Sequence, residues 1–147
     1  MYQSILVPLD GSDVAECSLP HAKAIASTFQ VHKVFLIMVL PPFSSRALSR
    51  VPSAKLDIVT QSSEAEARKY LAEITASLAE EGINAEPVVA SGKPAEQVVN
   101  FARGNNIDLI VMATRGRSGV SRRPFGSVAE TVMRTSSVPM LVVMPPA

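Results

Sequence analysis

The sequence predicts an α/β fold, with an open, mostly parallel five-stranded sheet and helices on both faces. Short apolar runs alternate with segments of helical spacing along the chain, which is typical of this class. Two of the runs, residues 34–40 and 109–112, are continuously apolar and so predict strands that are covered on both faces. The chain has 147 residues, the size of one domain, with no repeat or linker. We therefore predict a single domain over residues 1–147.

The first half of the chain predicts two strands and two long helices. Residues 5–7 form a short buried strand that Pro8 is expected to end. Residues 14–29 are alanine-rich and helical, and Pro20 should kink or restart that helix. After the strand at 34–40, residues 41–53 carry three prolines and predict a long loop. The apolar seam of the next helix, residues 62–81, is Ala67, Leu71, Ile74 and Leu78.

The second half predicts three more strands and two helices. A short strand at residues 85–90 precedes a helix that begins near Pro94. The strand at 109–112 should be central in the sheet, and a helix should follow Gly126 and Ser127. Residues 139–144 (Pro-Met-Leu-Val-Val-Met) predict a final strand at the sheet edge.

Composition excludes several classes of function. A net charge of +1 and a charged fraction of 18% argue against a nucleic-acid binder. The single cysteine, Cys17, excludes an internal disulfide, and His21 and His32 have no partner at metal-ligand spacing. No apolar run is long enough to span a membrane, and the N-terminal one is too short for a signal peptide. We predict a cytoplasmic protein that does not bind a membrane.

The loop after the fourth strand has the features of an anion site. Gly126 and Ser127 stand directly before a helix, whose first backbone N–H groups lack partners within the helix. Between Asp108 and Glu130 the chain has four arginines and no acidic residue, so this segment is locally positive. The alternative is that the glycines only make a connection and a helix cap, with the arginines in solvent.

The loop after the first strand supplies a second candidate. Asp13 and Glu16 resemble a capping box that opens a helix, whereas Asp10 lies at the carboxyl end of the strand. We assign Asp13 to structure and Asp10 to a ligand, although Asp10 could equally be a turn residue that binds its own backbone. If the first and fourth strands are neighbours, Asp10 and the glycine loop meet where open α/β sheets bind ligands. Val39, at the end of the second strand, could form one wall for a flat ring.

These residues resemble the universal stress protein (UspA-type) family along the whole chain. The resemblance rests on Ile5-Leu6-Val7-Pro8-Leu9-Asp10-Gly11-Ser12, together with residues 108–112 and the loop that follows. The ATP-binding branch of the family carries Gly-x2-Gly-x9-Gly-Ser/Thr. Here Gly116, Gly126 and Ser127 match the motif, and Ala113 replaces its first glycine. The resemblance implies a Rossmann-like fold of the adenine nucleotide alpha hydrolase group.

The resemblance also implies a cofactor and a set of residues that hold it. The cofactor is ATP, with a magnesium ion carried on its phosphates rather than by the protein. Adenine and ribose would contact Pro8, Leu9, Asp10 and Val39, and the sugar would also contact Ala113 and Arg115. The phosphates would contact Gly116, Arg117, Ser118 and Gly119, and the terminal phosphates would contact Gly126, Ser127 and the N–H of Val128.

The family further implies a homodimer and a role in stress response or signalling with unidentified protein partners. The edge strand at residues 139–144 offers the surface for the dimer. The first alternative is a nucleotide-free interaction module of the same fold, to which Ala113 points. The second is an enzyme, but the loop offers no acid or histidine to position a water molecule, so any ATP hydrolysis should be slow.

Overall fold

The computed structural model of the chain describes residues 1–41, 53–114 and 126–146, with the backbone alone over residues 53–62. The strands are β1 Ser4–Leu9, β2 Lys33–Leu40, β3 Ala85–Ser91, β4 Leu109–Ala113 and β5 Met140–Val143. The helices are α1 Asp13–Glu16, α2 Leu19–Thr28, α3 Ser53–Glu80, α4 Pro94–Gly104 and α5 Ser127–Thr135. Residues 42–52, which include Arg46, Arg50 and most of the predicted loop, lie outside the described residues.

The five strands form one parallel sheet in the order β3-β2-β1-β4-β5. This confirms the predicted fold class. The strand predicted to be central, β4, is an interior strand between β1 and β5, while β1 is at the centre of the sheet. From β1 the chain adds β2 and β3 on one side of the sheet, and then crosses to the other side of β1 to add β4 and β5. The winding direction therefore reverses between β1 and β4. The carboxyl ends of β1 and β4 therefore form the edge where ligands bind in sheets of this kind.

Two hydrophobic clusters cover the two faces of the sheet. One contains Leu36, Val111, Leu71 and Leu78 and packs α2 and α3 on the sheet. The other contains Leu6, Ile110, Val98 and Val132 and packs α4 and α5 on the opposite face. Alternate residues of each strand belong to opposite clusters, so the continuously apolar runs are explained by burial on both sides. The helices on both faces were thus predicted correctly.

The prediction that Pro8 ends the first strand was wrong, since β1 continues to Leu9 and Pro8 is paired with Ile37 of β2. The Ser4 carbonyl accepts a hydrogen bond from the N–H of Asp108, the residue before β4. Alternate residues of a strand direct their backbone N–H and C=O groups to the same side, so residues 4, 6 and 8 direct theirs toward β4. The pairing of β1 with β4 is at Ile5 and Leu6 only. The missing N–H of Pro8 therefore faces a side where pairing has already ended.

Two helix boundaries also differ from the predictions. The helix predicted at residues 62–81 begins at Ser53 and ends at Glu80. Adding a residue to an existing helix costs little compared with starting one, so weak local signals at residues 53–61 did not limit it. The helix predicted at residues 14–29 is two helices, and Pro20 lies in the first turn of α2, which confirms the expected restart.

The capping box predicted for Asp13 and Glu16 was wrong. Ser12 is the N-cap of α1, and its hydroxyl oxygen accepts a hydrogen bond from the Ala15 N–H at 3.2 Å. Asp13 is the first residue of the helix, and Glu16 accepts a hydrogen bond from the Tyr70 hydroxyl instead. None of the described helices is long and apolar enough to cross a membrane.

Candidate functional site

A cavity of about 400 Å³ lies at the carboxyl ends of the strands, at the point where the winding direction reverses. This volume is within the range of small-molecule sites. Pro8, Leu9 and Asp10 border it from the end of β1, and Ala113 and Thr114 border it from the end of β4. The first turn of α5 borders it as well. The described lining residues are Pro8, Leu9, Asp10, Ser12, Val14, Ala15, Ile37, Val39, Pro94, Val98, Met112, Ala113, Thr114, Gly126, Ser127, Val128 and Ala129.

The structure brings eight of the predicted site residues to this cavity. They are Pro8, Leu9, Asp10, Val39, Ala113, Gly126, Ser127 and Val128. The other five, Arg115, Gly116, Arg117, Ser118 and Gly119, lie outside the described residues. The expected meeting of Asp10 with the start of α5 depends on β1 and β4 being neighbours, which they are. Whether these residues hold a ligand stays a prediction.

Asp10 is exposed and follows β1 directly. Its Oδ1 accepts hydrogen bonds from the Ser12 N–H, at 2.9 Å, and from the Ser12 hydroxyl. This is the turn geometry that the sequence left open as the alternative to a ligand role. The two roles are compatible, because a carboxylate has two oxygens and about four lone-pair sites. The turn holds Asp10 at the rim of the cavity.

The first turn of α5 begins at Gly126, whose φ of 69° and ψ of 157° are open to glycine and essentially no other residue. Glycine also has no side chain with which to cap the helix. The N–H groups of the first turn have no intrahelical acceptors, and the helix dipole places partial positive charge at this end. Since Gly126, Ser127, Val128 and Ala129 line the cavity, this wall is suited to an anion such as phosphate.

Ala113 replaces the first glycine of the motif without backbone strain. Among the described residues other than glycine, positive φ angles occur at Gln30 and Asn106, so Ala113 has an ordinary backbone conformation. Ala113 also packs against the hydrophobic cluster under α2 and α3. A glycine is therefore not required here by the fold, and the alanine still leaves a cavity beside it.

The remaining walls are apolar. Ile37 and Val39 come from β2, Met112 comes from β4, and Pro94 and Val98 come from α4. Together they form the kind of surface that packs against a flat aromatic ring. Pro94 and Val98 were not predicted as site residues, but the topology offers a signal for them. The helix α4 follows the outer strand β3, so it begins at the carboxyl-end edge of the sheet, where the cavity lies.

Ser12, Val14 and Ala15 were also missed as lining residues. Asp13 alone was assigned to structure in this turn, yet Ser12 caps α1 and, with Val14 and Ala15, forms a wall of the cavity. The proximity of Ser12 to the strand end is the signal that could have identified it. Among the described residues, no group of three His, Cys, Asp or Glu side chains is placed to hold a metal ion.

A family model described as the universal stress protein family matches residues 1–144. The chain belongs to the universal stress protein family. Two curated members resemble it over nearly its whole length. Universal stress protein MJ0531 of Methanocaldococcus jannaschii is 32% identical and aligns with 99% of this chain and 84% of its own. Universal stress protein YxiE of Bacillus subtilis is 31% identical and aligns with 97% of this chain and 99% of its own.

Solved structures of the family share the fold. The structure of MJ0577, also a universal stress protein of M. jannaschii, has a TM-score of 0.84 at 29% identity and covers 99% of this chain and 98% of its own. A universal stress protein solved in complex with cAMP has a TM-score of 0.73 at 24% identity, covering 99% and 98% of the two chains. A member of the family from Arabidopsis thaliana, solved with AMP bound, has a TM-score of 0.64 at 14% identity, covering 99% and 93%.

Proposed function

We propose that this universal stress protein binds ATP between the ends of β1 and β4 and acts in stress response or signalling as a homodimer. One observation carries the nucleotide proposal: Asp10 and the glycine-started first turn of α5 border the same cavity. A carboxylate suits sugar hydroxyls as an acceptor, and a helix N-terminus suits phosphate as a donor. The cavity therefore offers one group suited to the sugar of a nucleotide and another suited to its phosphates.

The apolar walls of the cavity suit the adenine base, the remaining part of the nucleotide. Ile37, Val39 and Val98 give the cavity apolar surface of the kind that packs against a flat ring, and Pro8 and Leu9 line it as well and supply backbone groups. Two relatives of the same fold were solved with the adenine nucleotides cAMP and AMP. These complexes support an adenine nucleotide as the ligand class, and the motif at Gly126 and Ser127 supports ATP within that class.

A magnesium ion would enter with the ATP and not as a resident of the protein. Its ligands would be oxygens of the phosphates and water, because no group of three acidic or histidine side chains is available among the described residues. The ion would reduce the repulsion between the phosphates near α5. No residue of this chain is assigned to it.

The second candidate function is a nucleotide-free interaction module of the same fold. The feature that favours it is Ala113, which stands where the ATP-binding motif has its first glycine. An enzyme is a weaker candidate, because Asp10 is the one carboxylate among the described lining residues and no histidine accompanies it. ATP hydrolysis, if it occurs, should therefore be slow.

The proposed homodimer pairs β5 of one copy with β5 of another. β5 is an edge strand, paired with β4 on one side. Pro139 and Val143 accept from β4 through their carbonyls, so residues 140 and 142 direct their backbone polar groups to the outer edge. Met144, which follows β5 directly, and Met133, on α5, are both partly exposed and add apolar surface. Apolar edges with open backbone groups favour pairing with a second chain.

The test of the nucleotide proposal has two parts. Protein purified without added nucleotide is denatured, and the released nucleotides are identified by chromatography and mass. Stripped protein is then titrated calorimetrically with Mg-ATP, AMP and cAMP. We expect copurified ATP or a micromolar Kd for Mg-ATP. Binding of AMP or cAMP in preference to ATP would reassign the ligand, and no binding at millimolar nucleotide would favour the interaction module.

A further inference from the structure

The helix α1 forms part of the cavity wall but has little packing of its own. It is one turn long, and none of its four residues is buried. Val14 and Ala15 nevertheless line the cavity. Hydrophobic burial holds most helices in place, whereas a single isolated turn is unstable in water. Ala15 packs partly against the hydrophobic cluster under α2 and α3, and the buried Ser18 donates its hydroxyl to the Ala15 carbonyl at 2.8 Å. The hydrogen bonds at the two ends of α1 supply the rest of what positions this wall.

The first end of α1 is joined to Asp10. Ser12 donates to Asp10 through both its N–H and its hydroxyl, and the same hydroxyl oxygen accepts from the Ala15 N–H. Asp10 and the first turn of α1 therefore form one hydrogen-bonded unit. A displacement of α1 would move Asp10, the proposed sugar contact, or break its bonds to Ser12.

The second end of α1 is joined to α3, on the face of the sheet away from α5. The Tyr70 hydroxyl donates to Glu16 Oε2 at 2.7 Å. Tyr70 is half-buried and packs against the same hydrophobic cluster as Leu71, which is fully buried, so the phenol is fixed by the core. Burial, and then the Glu16 carboxylate, raise the pKa of Tyr70 well above its usual range, with smaller contributions from Asp10 and Asp13. The phenol therefore stays protonated and remains a donor.

We propose that Tyr70 is a positioning residue for the ligand site: its bond to Glu16 fixes α1, and through Ser12 it fixes Asp10. The inference rests on the proposed nucleotide site. By linkage, a ligand that binds Asp10 in its ordered position must strengthen the Tyr70–Glu16 bond by the same factor by which that bond improves ligand affinity. Nucleotide binding is thus coupled to α3, which has no residue among the described cavity lining.

The chain offers an unusually clean reporter for this coupling. It has two tyrosines and no tryptophan. Tyr2 packs edge-on against Phe29, far along β1 from the cavity, so Tyr2→Phe leaves Tyr70 as the single tyrosine. The ultraviolet fluorescence of Tyr2→Phe then reports Tyr70 alone. A phenol that donates to a carboxylate has altered emission, so a change at the Tyr70–Glu16 bond is directly visible.

The experiment follows Tyr70 emission of Tyr2→Phe during titration with Mg-ATP, corrected for absorption by the nucleotide, beside calorimetry on the same protein. In the Tyr2→Phe background, Tyr70→Phe, Glu16→Ala and the double variant are compared by calorimetry. We expect the Tyr70 emission to change and saturate, with the same midpoint ATP concentration that calorimetry gives. We also expect each single variant to weaken Kd about fivefold or more, with no further loss in the double variant. Glu16→Gln, which keeps an acceptor oxygen, should recover part of the affinity.

The outcomes separate the two proposals. If calorimetry detects no nucleotide binding to the Tyr2→Phe protein or to the unmodified chain, the nucleotide site is wrong and the coupling falls with it. If calorimetry detects binding but Tyr70 emission stays constant, or Tyr70→Phe keeps its Kd within twofold, the site stands and the role of Tyr70 is overturned. If Tyr70 is purely structural, Tyr70→Phe should lower the thermal stability while leaving the Kd for Mg-ATP unchanged.

Discussion

The two polar walls of the cavity differ in how their backbone groups are satisfied. At the β1 end, Ser12 caps α1 with its own side chain and also binds Asp10. At the α5 end, the cap position is Gly126, which has no side chain to offer. The first wall is thus capped by a side chain of its own turn, whereas Gly126 has no side chain with which to cap the second. We infer that α5 supplies most of the ligand affinity and that the β1 wall supplies orientation.

The largest expected effect is at the α5 wall. Gly126→Asp should reduce ATP affinity at least about hundredfold, because it puts a carboxylate where phosphate would bind and strains a glycine-only conformation. Gly126→Ala imposes similar strain without the charge and should lose less. Gly104→Asp is the matched control, since an added Cβ there meets no atom within 4 Å. Calorimetry gives each Kd, and unchanged affinity in Gly126→Asp would remove α5 from the site.

A smaller loss of affinity is expected at the β1 wall. Asp10→Ala removes a charged acceptor, and a hydrogen bond to a charged group is worth about 1.5–3 kcal/mol, or roughly ten- to hundredfold in Kd. Ser12→Ala, which keeps the carboxylate but removes its hydroxyl partner, should weaken ATP less than Asp10→Ala does. Equal losses in the two variants, measured by calorimetry, would mean that Asp10 serves only the turn.

The proposed dimer can be tested without disturbing the cavity. Val142→Pro removes an N–H that is directed to the outer edge of β5, and leaves the β4 ladder intact. Sedimentation at micromolar concentration should then show monomer where the unmodified protein shows dimer. A Val142→Ala control should remain dimeric. A dimer that persists in Val142→Pro would place the interface elsewhere, and ATP affinity should be unaffected in either variant.

The smallest effect concerns stability. Tyr70→Phe should lower the free energy of unfolding by about 1 kcal/mol at neutral pH, because it removes a hydrogen bond to a carboxylate on a half-buried residue. Since the folded pKa of Tyr70 is raised, this contribution is fully present below the unfolded tyrosine pKa of about 10 and is lost as pH rises further. Urea melts of both proteins from pH 7 to 11 should converge at the alkaline end. A constant difference would contradict the assignment.

The sequence predicted the parallel sheet correctly, because its strands are continuous apolar runs that are buried on both faces. Asp10 and Gly126 could be brought together from the order of the elements alone. The cap of α1 could not be assigned, since Ser12 and Asp13 are both good cap residues at adjacent positions. The bond between Tyr70 and Glu16 joins residues 54 positions apart and has no local signal. The extension of α3 to Ser53 likewise depends on helix propagation rather than on a start signal.

The most direct measurement of the central claim is an amide NMR titration of nucleotide-stripped, ¹⁵N-labelled protein with Mg-ATP. Ser127 and Val128 line the cavity, and their first-turn N–H groups are the proposed phosphate donors. We expect these amide protons to move downfield and saturate together with Asp10, because hydrogen bonding to an anion deshields the donor proton. An ATP titration that saturates while the Ser127 and Val128 amides remain unmoved would contradict a phosphate site at α5.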